Sequence, residues 1–140
     1  MADETLPLIE HIGKYRVIRE LGRGATGAVY LAEDSFNNRN VAIKMMFPEV
    51  LKHAEDGALY RSMFLNEASL AGKILHPHIV GIFDAVVDEN MSYIVMEYVE
   101  GGTLEKFCAP DNFLPTQTVA EIVFKCVRAL AFANTQGLIH

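Results

Sequence analysis

Apolar and polar residues alternate along the first third of the chain, in runs that are separated by turn-forming segments. The runs YRVIREL, AVYLAED and VAIKMMF are rich in β-branched, aromatic and other apolar residues, and GRGATG and SFNNRN lie between them. Alternation with a period of two is typical of strands that bury one face, and segments rich in glycine or asparagine are typical of turns. From Tyr15 onward, the pattern therefore predicts three strands joined as an antiparallel meander.

The spacing of apolar residues changes after Pro48. Apolar side chains then recur at helical spacing, at Leu59, Met63, Leu70 and Ile74. This spacing predicts a helix with one buried face, for which Asp56 and Gly57 are start signals and Pro77 closes the segment.

Two further extended runs, VGIFDAVV and SYIVMEYV, follow this helix. They flank the turn-forming residues Asp88, Glu89 and Asn90, which predicts a hairpin. Together with the meander, the hairpin completes a predicted sheet of five strands.

A second long helix is predicted near the end of the sequence, after a break at a glycine pair. Thr118 and Glu121 have the spacing of a capping box, and the helix is expected to end near Gly137. Its apolar positions recur every three or four residues, at Val119, Ile122, Val123, Cys126, Val127 and Leu130. This stripe needs a covering partner, so the sequence predicts self-association through the helix over 118–136 or partial melting of that helix.

Composition narrows the classes of protein that fit. The 140 residues are 51% hydrophobic and 21% charged, as in an ordinary globular chain. The net charge of −6 has the wrong sign for binding along nucleic acid, so no nucleic-acid partner is expected. Two cysteines are too few for a disulfide framework and favour a reducing compartment. No secretory signal or apolar stretch long enough for a membrane span is apparent, so a cytoplasmic protein is expected.

Gly22, Gly24 and Gly27 form a GxGxxG pattern after the first strand. Residues without a Cβ let backbone amides approach phosphate oxygens, so this loop is a candidate phosphate site. A dinucleotide-binding fold would need a helix at the third glycine and an acidic residue about twenty positions later. The sequence has an extended run and Lys44 there instead, which excludes that class. A P-loop is excluded because Lys73 is followed by isoleucine rather than by Ser or Thr.

The glycine-rich loop, the run VAIK that ends at Lys44 and the segment MEYVEGG stand in the order and spacing that the kinase pattern demands. From about Tyr15 to His140, the chain resembles the small lobe of a protein Ser/Thr kinase and is most similar to the bacterial kinases of eukaryotic type. The resemblance implies an α+β fold in which a five-stranded antiparallel sheet and one helix precede the hinge and the first helices of an incomplete large lobe. We expect an N-terminal extension over residues 1–14, an ATP-binding small lobe over 15–100 and the start of the large lobe over 101–140.

Lys44 stands near the end of an apolar strand, where an ammonium group is costly unless it meets an anion or reaches water. Glu67 is the candidate anion, because its helical neighbours are apolar and would place its carboxylate on the buried stripe. The resemblance implies that Glu67 orients Lys44 and that Lys44 contacts the α- and β-phosphates of ATP. We predict these two residues as the catalytic pair.

The residues around Met96 are the candidate adenine pocket, because a strand that leads into a glycine break offers backbone hydrogen-bonding groups beside an apolar slot. The resemblance implies that Met96 is the gatekeeper and that the backbones of Glu97 and Val99 bond adenine. It implies further nucleotide contacts at Leu21, Gly22, Gly24, Gly27, Val29, Ala42 and Thr103, of which Val29 and Ala42 enclose the ring and Thr103 lies near the ribose. The structural alternative is that Val29, Ala42 and Met96 are core residues of the sheet.

His140 matches the first residue of the HRD motif of kinases. In that family the catalytic aspartate and the magnesium ligands follow this histidine. We therefore expect ATP as the ligand, Mg²⁺ held by residues beyond this chain, a protein substrate for a full-length parent, and no activity of the chain alone. His76-Pro77-His78 lacks a third ligand at any usual spacing and is interpreted as a structural turn, so no metal site is predicted in the chain.

Two other functions stay open at this point. One is a non-catalytic module that binds nucleotide or docks on another protein through its helical stripe. The other is a small-molecule kinase of related fold, such as those that act on aminoglycosides.

Overall fold

The protein is described by a computed structural model over residues 9–52, 56–87 and 91–138, and within those residues six strands form one antiparallel sheet. The strands are β1 (His11–Ile12), β2 (Tyr15–Arg23), β3 (Gly27–Asp34), β4 (Arg39–Met46), β5 (Ile82–Val87) and β6 (Ser92–Glu97). Their order across the sheet is β1-β2-β3-β4-β6-β5. The meander and the two later strands are confirmed, while the predicted turn at residues 88–90 lies outside the described residues.

The sheet has one strand more than the five predicted. β1 pairs with β2, and the side chain of Ile12 is fully buried. Gly13 turns the chain between these strands with a φ of 56°, and a Cβ there would overlap the hydroxyl of Tyr93. β1 was not predicted because two residues are too few to show an alternating pattern.

The helices are α1 (Pro48–Lys52), α2 (Gly57–Ala71) and α3 (Thr116–Thr135), and a short 3₁₀ helix spans Leu104–Phe107. α2 begins where Asp56 and Gly57 predicted a start, and the Asp56 carbonyl accepts the amide of Tyr60 at 2.9 Å. A Cβ at Gly57 would overlap the carbonyl of Leu51, so a glycine lets α1 and α2 follow each other closely. α1 and the 3₁₀ helix were not predicted, because neither is long enough to show a helical period.

The buried stripe of α2 differs from the predicted one. Phe64 and Ala68 are buried, whereas Leu59 and Met63 of the predicted stripe are exposed. Spacing alone cannot decide which of two neighbouring rows of a helix faces the sheet, and here the row through Phe64 does. The side chain of Leu70 lies outside the described residues.

The two faces of the sheet pack into separate apolar clusters. Buried residues of the first face include Tyr15, Ala28, Tyr30, Val41, Ile43, Tyr93 and Val95. On the second face the buried residues are Met46, Leu51, Phe64, Ala68 and Ile94. Since successive side chains of a strand point to opposite faces, Lys44 and Ala42 share the second face with Met46.

The start of α3 differs from the predicted capping box. The helix begins at Thr116 after Pro115, and the Pro115 carbonyl accepts the amide of Val119 at 3.1 Å. Thr118 therefore lies inside the first turn, and the carboxylate of Glu121 accepts a hydrogen bond from Gln117 Nε2 at 3.5 Å. The capping box was wrong because the N-cap residue is Pro115, with its preset φ, three residues before Thr118.

The end of α3 agrees with the prediction. Gly137 follows the helix with a φ of 82°, a conformation that glycine adopts without strain. The amides of Gly137 and Leu138 donate to the carbonyls of Asn134 and Ala133, each at 3.0 Å. This pattern is a Schellman motif, which satisfies the last carbonyls of the helix.

The predicted apolar stripe of α3 is exposed over much of its length. Val119, Val123, Val127 and Leu130 are between 43% and 56% exposed, while Ala129 and Ala133 are buried. Among the described residues, no helix has the length and apolar character that crossing a membrane requires.

Candidate functional site

The glycine-rich loop lies beside Lys44 because of the strand register. Gly22 pairs with Val29 between β2 and β3, and Val29 pairs with Lys44 between β3 and β4. Directly opposed residues of antiparallel strands point to the same face, so these three form one row across the sheet. The Gly24 amide donates to the Gly27 carbonyl at 2.8 Å and closes the loop at its neck.

Two cavities meet at Lys44. The first, of about 360 Å³, lies under the glycine-rich loop and is lined by Gly22, Arg23, Gly24, Thr26, Gly27, Ala28, Val29, Lys44, Met45 and Met46. The second, of about 130 Å³, lies between β4 and α2 and is lined by Thr26, Lys44, Met46, Tyr60, Met63, Phe64 and Glu67. The structure thus brings the three glycines, Val29 and Lys44 around one space and places Glu67 at the next.

Lys44 and Glu67 form an ion pair. The Nζ atom of Lys44 donates to Oε1 of Glu67 at 3.1 Å and to Oε2 at 3.3 Å. The two side chains are 42% and 55% exposed. The predicted contact is therefore present, but its predicted cause is wrong: Glu67 lies at the edge of the buried stripe of α2, within reach of water.

The exposure of this pair limits what it contributes to folding. Ion pairs between exposed side chains stabilise proteins by about 0–1 kcal/mol. Stability therefore does not account for a lysine held in two hydrogen bonds beneath a glycine-rich loop. The pair leaves an ammonium group oriented at the junction of two cavities, where it can bind an anion.

A second row of candidate residues lies next to the first. Ala42 pairs with Met96 between β4 and β6 and with Leu31 between β3 and β4. Ala42 is buried, and Met96 packs against the cluster on the second face. Both residues thus share the face that carries Lys44, as a slot for a flat ring would require, and both also serve as packing residues of the sheet.

The last residue of β6, Glu97, and the segment that follows it are more exposed than the middle of the strand. The amide of Glu97 donates to the Gly81 carbonyl at 2.8 Å, so this amide is occupied. Oε2 of the Glu97 side chain accepts the Gly81 amide at 3.2 Å. Val99 and Thr103 are exposed, and Thr103 makes no side-chain hydrogen bond to the 3₁₀ helix that follows it.

Leu21, Ala42, Met96, Glu97, Val99 and Thr103 line neither of the two cavities at Lys44. Leu21 lies on β2 and is 36% exposed. Apart from Val29, the predicted adenine contacts therefore lie outside these cavities, whereas the predicted phosphate contacts line the cavity beneath the glycine-rich loop.

Sequence reasoning missed several of the residues that line the cavities, among them Thr26, Met46 and Tyr60. Thr26 and Met46 line both cavities, and Tyr60 of α2 lines the second. Thr26 could have been found, since it lies inside the GRGATG segment. Met46 shares the face of Lys44 by simple alternation, but nothing local indicates that Tyr60 reaches the same space.

His76-Pro77-His78 forms a turn, as predicted. The His76 carbonyl accepts the Ile79 amide at 3.1 Å, and the His76 ring lies 5.2 Å from the ring of Phe132 in α3. Within 9–52, 56–87 and 91–138, no group of three or more His, Cys, Asp or Glu side chains could hold a metal ion.

Comparison with known proteins identifies the class to which this fold and site belong. Residues 15–140 match the protein kinase domain family, so the chain belongs to that family. The matched region contains the glycine-rich loop, Lys44 and Glu67.

The individual relatives are bacterial Ser/Thr kinases. The chain is 37% identical over 128 residues to the serine/threonine-protein kinase PrkC of Bacillus subtilis, with 91% of this chain and 19% of PrkC covered. It is 35% identical over 127 residues to a probable serine/threonine-protein kinase of Clostridium acetobutylicum, with 91% of this chain and 19% of that protein covered. The chain thus spans about a fifth of the length of the relatives it matches.

Solved structures agree with this assignment. The PknI kinase domain of Mycobacterium tuberculosis superposes with a TM-score of 0.72 at 32% identity, covering 91% of this chain and 50% of that domain. A variant of the same domain superposes with a TM-score of 0.73 at 30% identity, covering 96% of this chain and 55% of that domain. The kinase-like fold predicted from the sequence is therefore confirmed.

Proposed function

We propose that this chain is the ATP-binding part of a Ser/Thr protein kinase whose full-length form transfers the γ-phosphate of ATP to protein Ser or Thr. The observation that carries the proposal is the Lys44–Glu67 ion pair at the junction of two cavities beneath the glycine-rich loop. The names of the bacterial relatives support the choice of Ser/Thr. We further propose residues 15–100 as the small lobe and 101–140 as the start of the large lobe.

Lys44 has the central role in this proposal. Its ammonium group binds the α- and β-phosphates, and the two hydrogen bonds to Glu67 fix its position before the nucleotide arrives. The loop backbone at Gly22 can approach the same phosphates, because this glycine faces open space, whereas the Gly24 amide is occupied by the Gly27 carbonyl.

The adenine ring is proposed to lie between Val29 and Ala42, next to Met96. The occupied amide of Glu97 leaves the hydrogen bonds of the base to the Glu97 carbonyl and the Val99 backbone. Leu21 covers the ring from β2, and Thr103 lies near the ribose. The exposure of Val99 and Thr103 is compatible with a site that opens to solvent at this end.

Magnesium does not fit the described residues of this chain, since they contain no cluster of three ligating side chains. We propose that its ligands, the catalytic aspartate and the protein-substrate site belong to the full-length kinase. The chain alone is then expected to bind ATP without turnover when it is incubated with magnesium and a basic substrate protein.

ATP titration of the purified chain tests the proposed function. We expect saturable binding in calorimetry, weakened about tenfold or more by Lys44→Met, which is the effect of losing one charge-assisted hydrogen bond. Glu67→Gln should weaken binding less, because Lys44 stays charged, and should change the free energy of unfolding by less than about 1 kcal/mol.

Lys73→Met is the matched control, since Lys73 is an exposed lysine that lines neither cavity. Equal ATP affinities of the Lys44→Met and Lys73→Met variants would contradict the assignment of Lys44 as the phosphate ligand.

A second role, self-association, is favoured by the exposed stripe of α3. We infer that this chain associates with itself through the helix over 118–136, because Val119, Val123, Val127 and Leu130 are large apolar residues in contact with water. A cytoplasmic location is proposed from the free thiols of Cys108 and Cys126 and from the use of ATP.

A further inference from the structure

Phe47 contacts the glycine-rich loop from outside the cavity that the loop covers. The Phe47 amide donates to the carbonyl of Thr26 at 3.0 Å. The Phe47 ring lies beneath the guanidinium group of Arg23, whose Cζ is 5.0 Å from the ring centroid. Arg23 is the last residue of β2 and Thr26 directly precedes β3, so Phe47 contacts both limbs of the loop.

Phe47 is itself held in place. It follows β4 directly, and its carbonyl accepts the amide of Val50 at 3.1 Å at the start of α1. Its ring packs against the cluster on the first face of the sheet, which includes the buried Tyr30. Phe47 lines neither cavity at Lys44, so it lies outside the proposed phosphate site.

The Arg23 side chain is fixed toward Phe47 by two further partners. Its Nε and Nη2 atoms donate to the two carboxylate oxygens of Glu20 at 3.1 and 2.6 Å, and Nη2 lies 3.4 Å from the Tyr30 hydroxyl. The hydrogen bond from Arg23 lowers the pKa of Glu20, so this carboxylate stays charged at neutral pH. These hydrogen bonds hold the guanidinium group beside the Phe47 ring, at the 5.0 Å separation of a cation–π contact.

We propose that Phe47 is a positioning residue for the glycine-rich loop: its amide on Thr26 and its ring on Arg23 hold the loop over Lys44 and thereby set the affinity for the phosphates of the nucleotide. This inference rests on the proposed ATP binding and adds to it a residue that does not touch the nucleotide. Substitution of a residue that only fills the core would lower the free energy of unfolding. Substitution of a residue that positions the loop would lower the affinity for the phosphates in particular.

The test uses the full chain and compares ATP with adenosine, which lacks phosphates, in NMR titrations. Phe47→Leu keeps the backbone amide and apolar bulk but removes the ring. We expect it to raise the Kd for ATP about two- to fivefold, the factor that corresponds to an exposed cation–π contact, and to leave the Kd for adenosine unchanged. Phe47→Tyr, which keeps the aromatic ring, should bind ATP as tightly as the unsubstituted chain.

Arg23→Gln tests the same contact from the exposed side and keeps the test informative if Phe47→Leu fails to fold. Because Arg23 also lines the phosphate cavity, this substitution should weaken ATP binding at least as much as Phe47→Leu does. The double variant should lose no more than Arg23→Gln alone, because the ring then has no guanidinium group to contact. Phe36→Leu is the control, since Phe36 is 90% exposed in the turn after β3, and it should bind both ligands normally.

The outcomes separate this inference from the proposed function. An equal loss of ATP and adenosine affinity in Phe47→Leu would overturn the positioning role of Phe47, and so would additive effects of Phe47→Leu and Arg23→Gln. Neither result would contradict ATP binding that depends on Lys44. Failure of the unsubstituted chain to bind ATP would overturn both the proposed function and the positioning role of Phe47.

Discussion

At the scale of single residues, the three glycines of the loop differ in the reason for which a side chain is absent. A Cβ at Gly27 would overlap the carbonyl oxygen of Met45 on the neighbouring strand, so β3 and β4 need glycine there to pair. A Cβ at Gly22 would meet nothing within 4 Å, and at Gly24 only the Gly27 carbonyl at 3.9 Å. Packing thus explains Gly27, whereas Gly22 and Gly24 are free of structural need and are available to a ligand.

Alanine substitutions should separate these requirements. Gly27→Ala is expected to lower the free energy of unfolding by about 1–3 kcal/mol, as overpacked sites do. Gly22→Ala should change it by less than about 0.5 kcal/mol, as at other open surface sites, but should lower ATP affinity by about tenfold because the Cβ enters the path of the phosphates. Chemical denaturation and ATP titration of both variants give the two readouts.

The opposite pattern, with Gly22→Ala unstable and normal in ATP binding, would show that the loop's open glycines are needed for folding. Gly102→Ala serves as a control, because a Cβ added at Gly102 would also meet nothing within 4 Å, but this glycine lies after β6 and outside the glycine-rich loop.

At the scale of elements, α3 is the part whose surface is least matched to its surroundings. Its C-terminal half packs against the turn at His76, where the Phe132 ring contacts the imidazole ring. Ala133 of the same half is buried. The large residues in the rest of its apolar stripe are about half exposed, so each lacks about half of the ~1.5–3 kcal/mol that complete burial would contribute. This element therefore favours association of the isolated chain.

Replacing the middle of the stripe should reduce association. Val123→Glu with Val127→Lys places an ion pair at i and i+4, which suits an exposed helix and removes two apolar side chains. We expect the unchanged chain to form larger species as its concentration rises and the double variant to stay mostly monomeric in sedimentation velocity. Exchange of the charges at Glu121 and Lys125 is the matched control, since it alters the same helix but keeps the stripe.

A concentration-independent monomer for the unchanged chain would rule out self-association through α3. Equal association of the stripe variant and the charge-exchange control would assign it to another surface.

At the scale of the whole molecule, acid stability depends on a buried carboxylate at the end of β3, beside the turn that leads into β4. Asp34 is 2% exposed, accepts the Asn37 side-chain amide at 2.7 Å and pairs with Arg39 at 3.5 Å. The hydrogen bond from the Asn37 side chain, with smaller contributions from its backbone amide and from Arg39, lowers the pKa of Asp34. A carboxylate with a lowered folded-state pKa stabilises the fold above its unfolded-state pKa, and that contribution disappears as the pH falls through the folded-state value.

The melting temperature should report this linkage. The unchanged chain is expected to be more stable than Asp34→Asn at neutral pH, and the difference should shrink as the pH falls below about 4, where an ordinary aspartate begins to protonate. Calorimetric melts across that range measure it. Asp111→Asn, at an exposed site, should follow the unchanged chain at every pH, and a pH-independent gap for Asp34→Asn would refute the linkage.

Local patterns in the sequence determined the succession of β2 to β6 along the chain, the start of α2, the end of α3 and the glycine-rich loop. They could do so because alternation, helical spacing and glycine conformations act over a few neighbouring residues. The same patterns could not predict β1, α1 or the start of α3, where elements are short or two start signals compete. Only the tertiary structure decided that β6 rather than β5 lies beside β4, and that the row through Phe64 is the buried one. The tertiary structure also decided that Lys44 meets an exposed Glu67 and that Phe47 lies against both limbs of the loop, because these contacts join distant segments through strand register and packing.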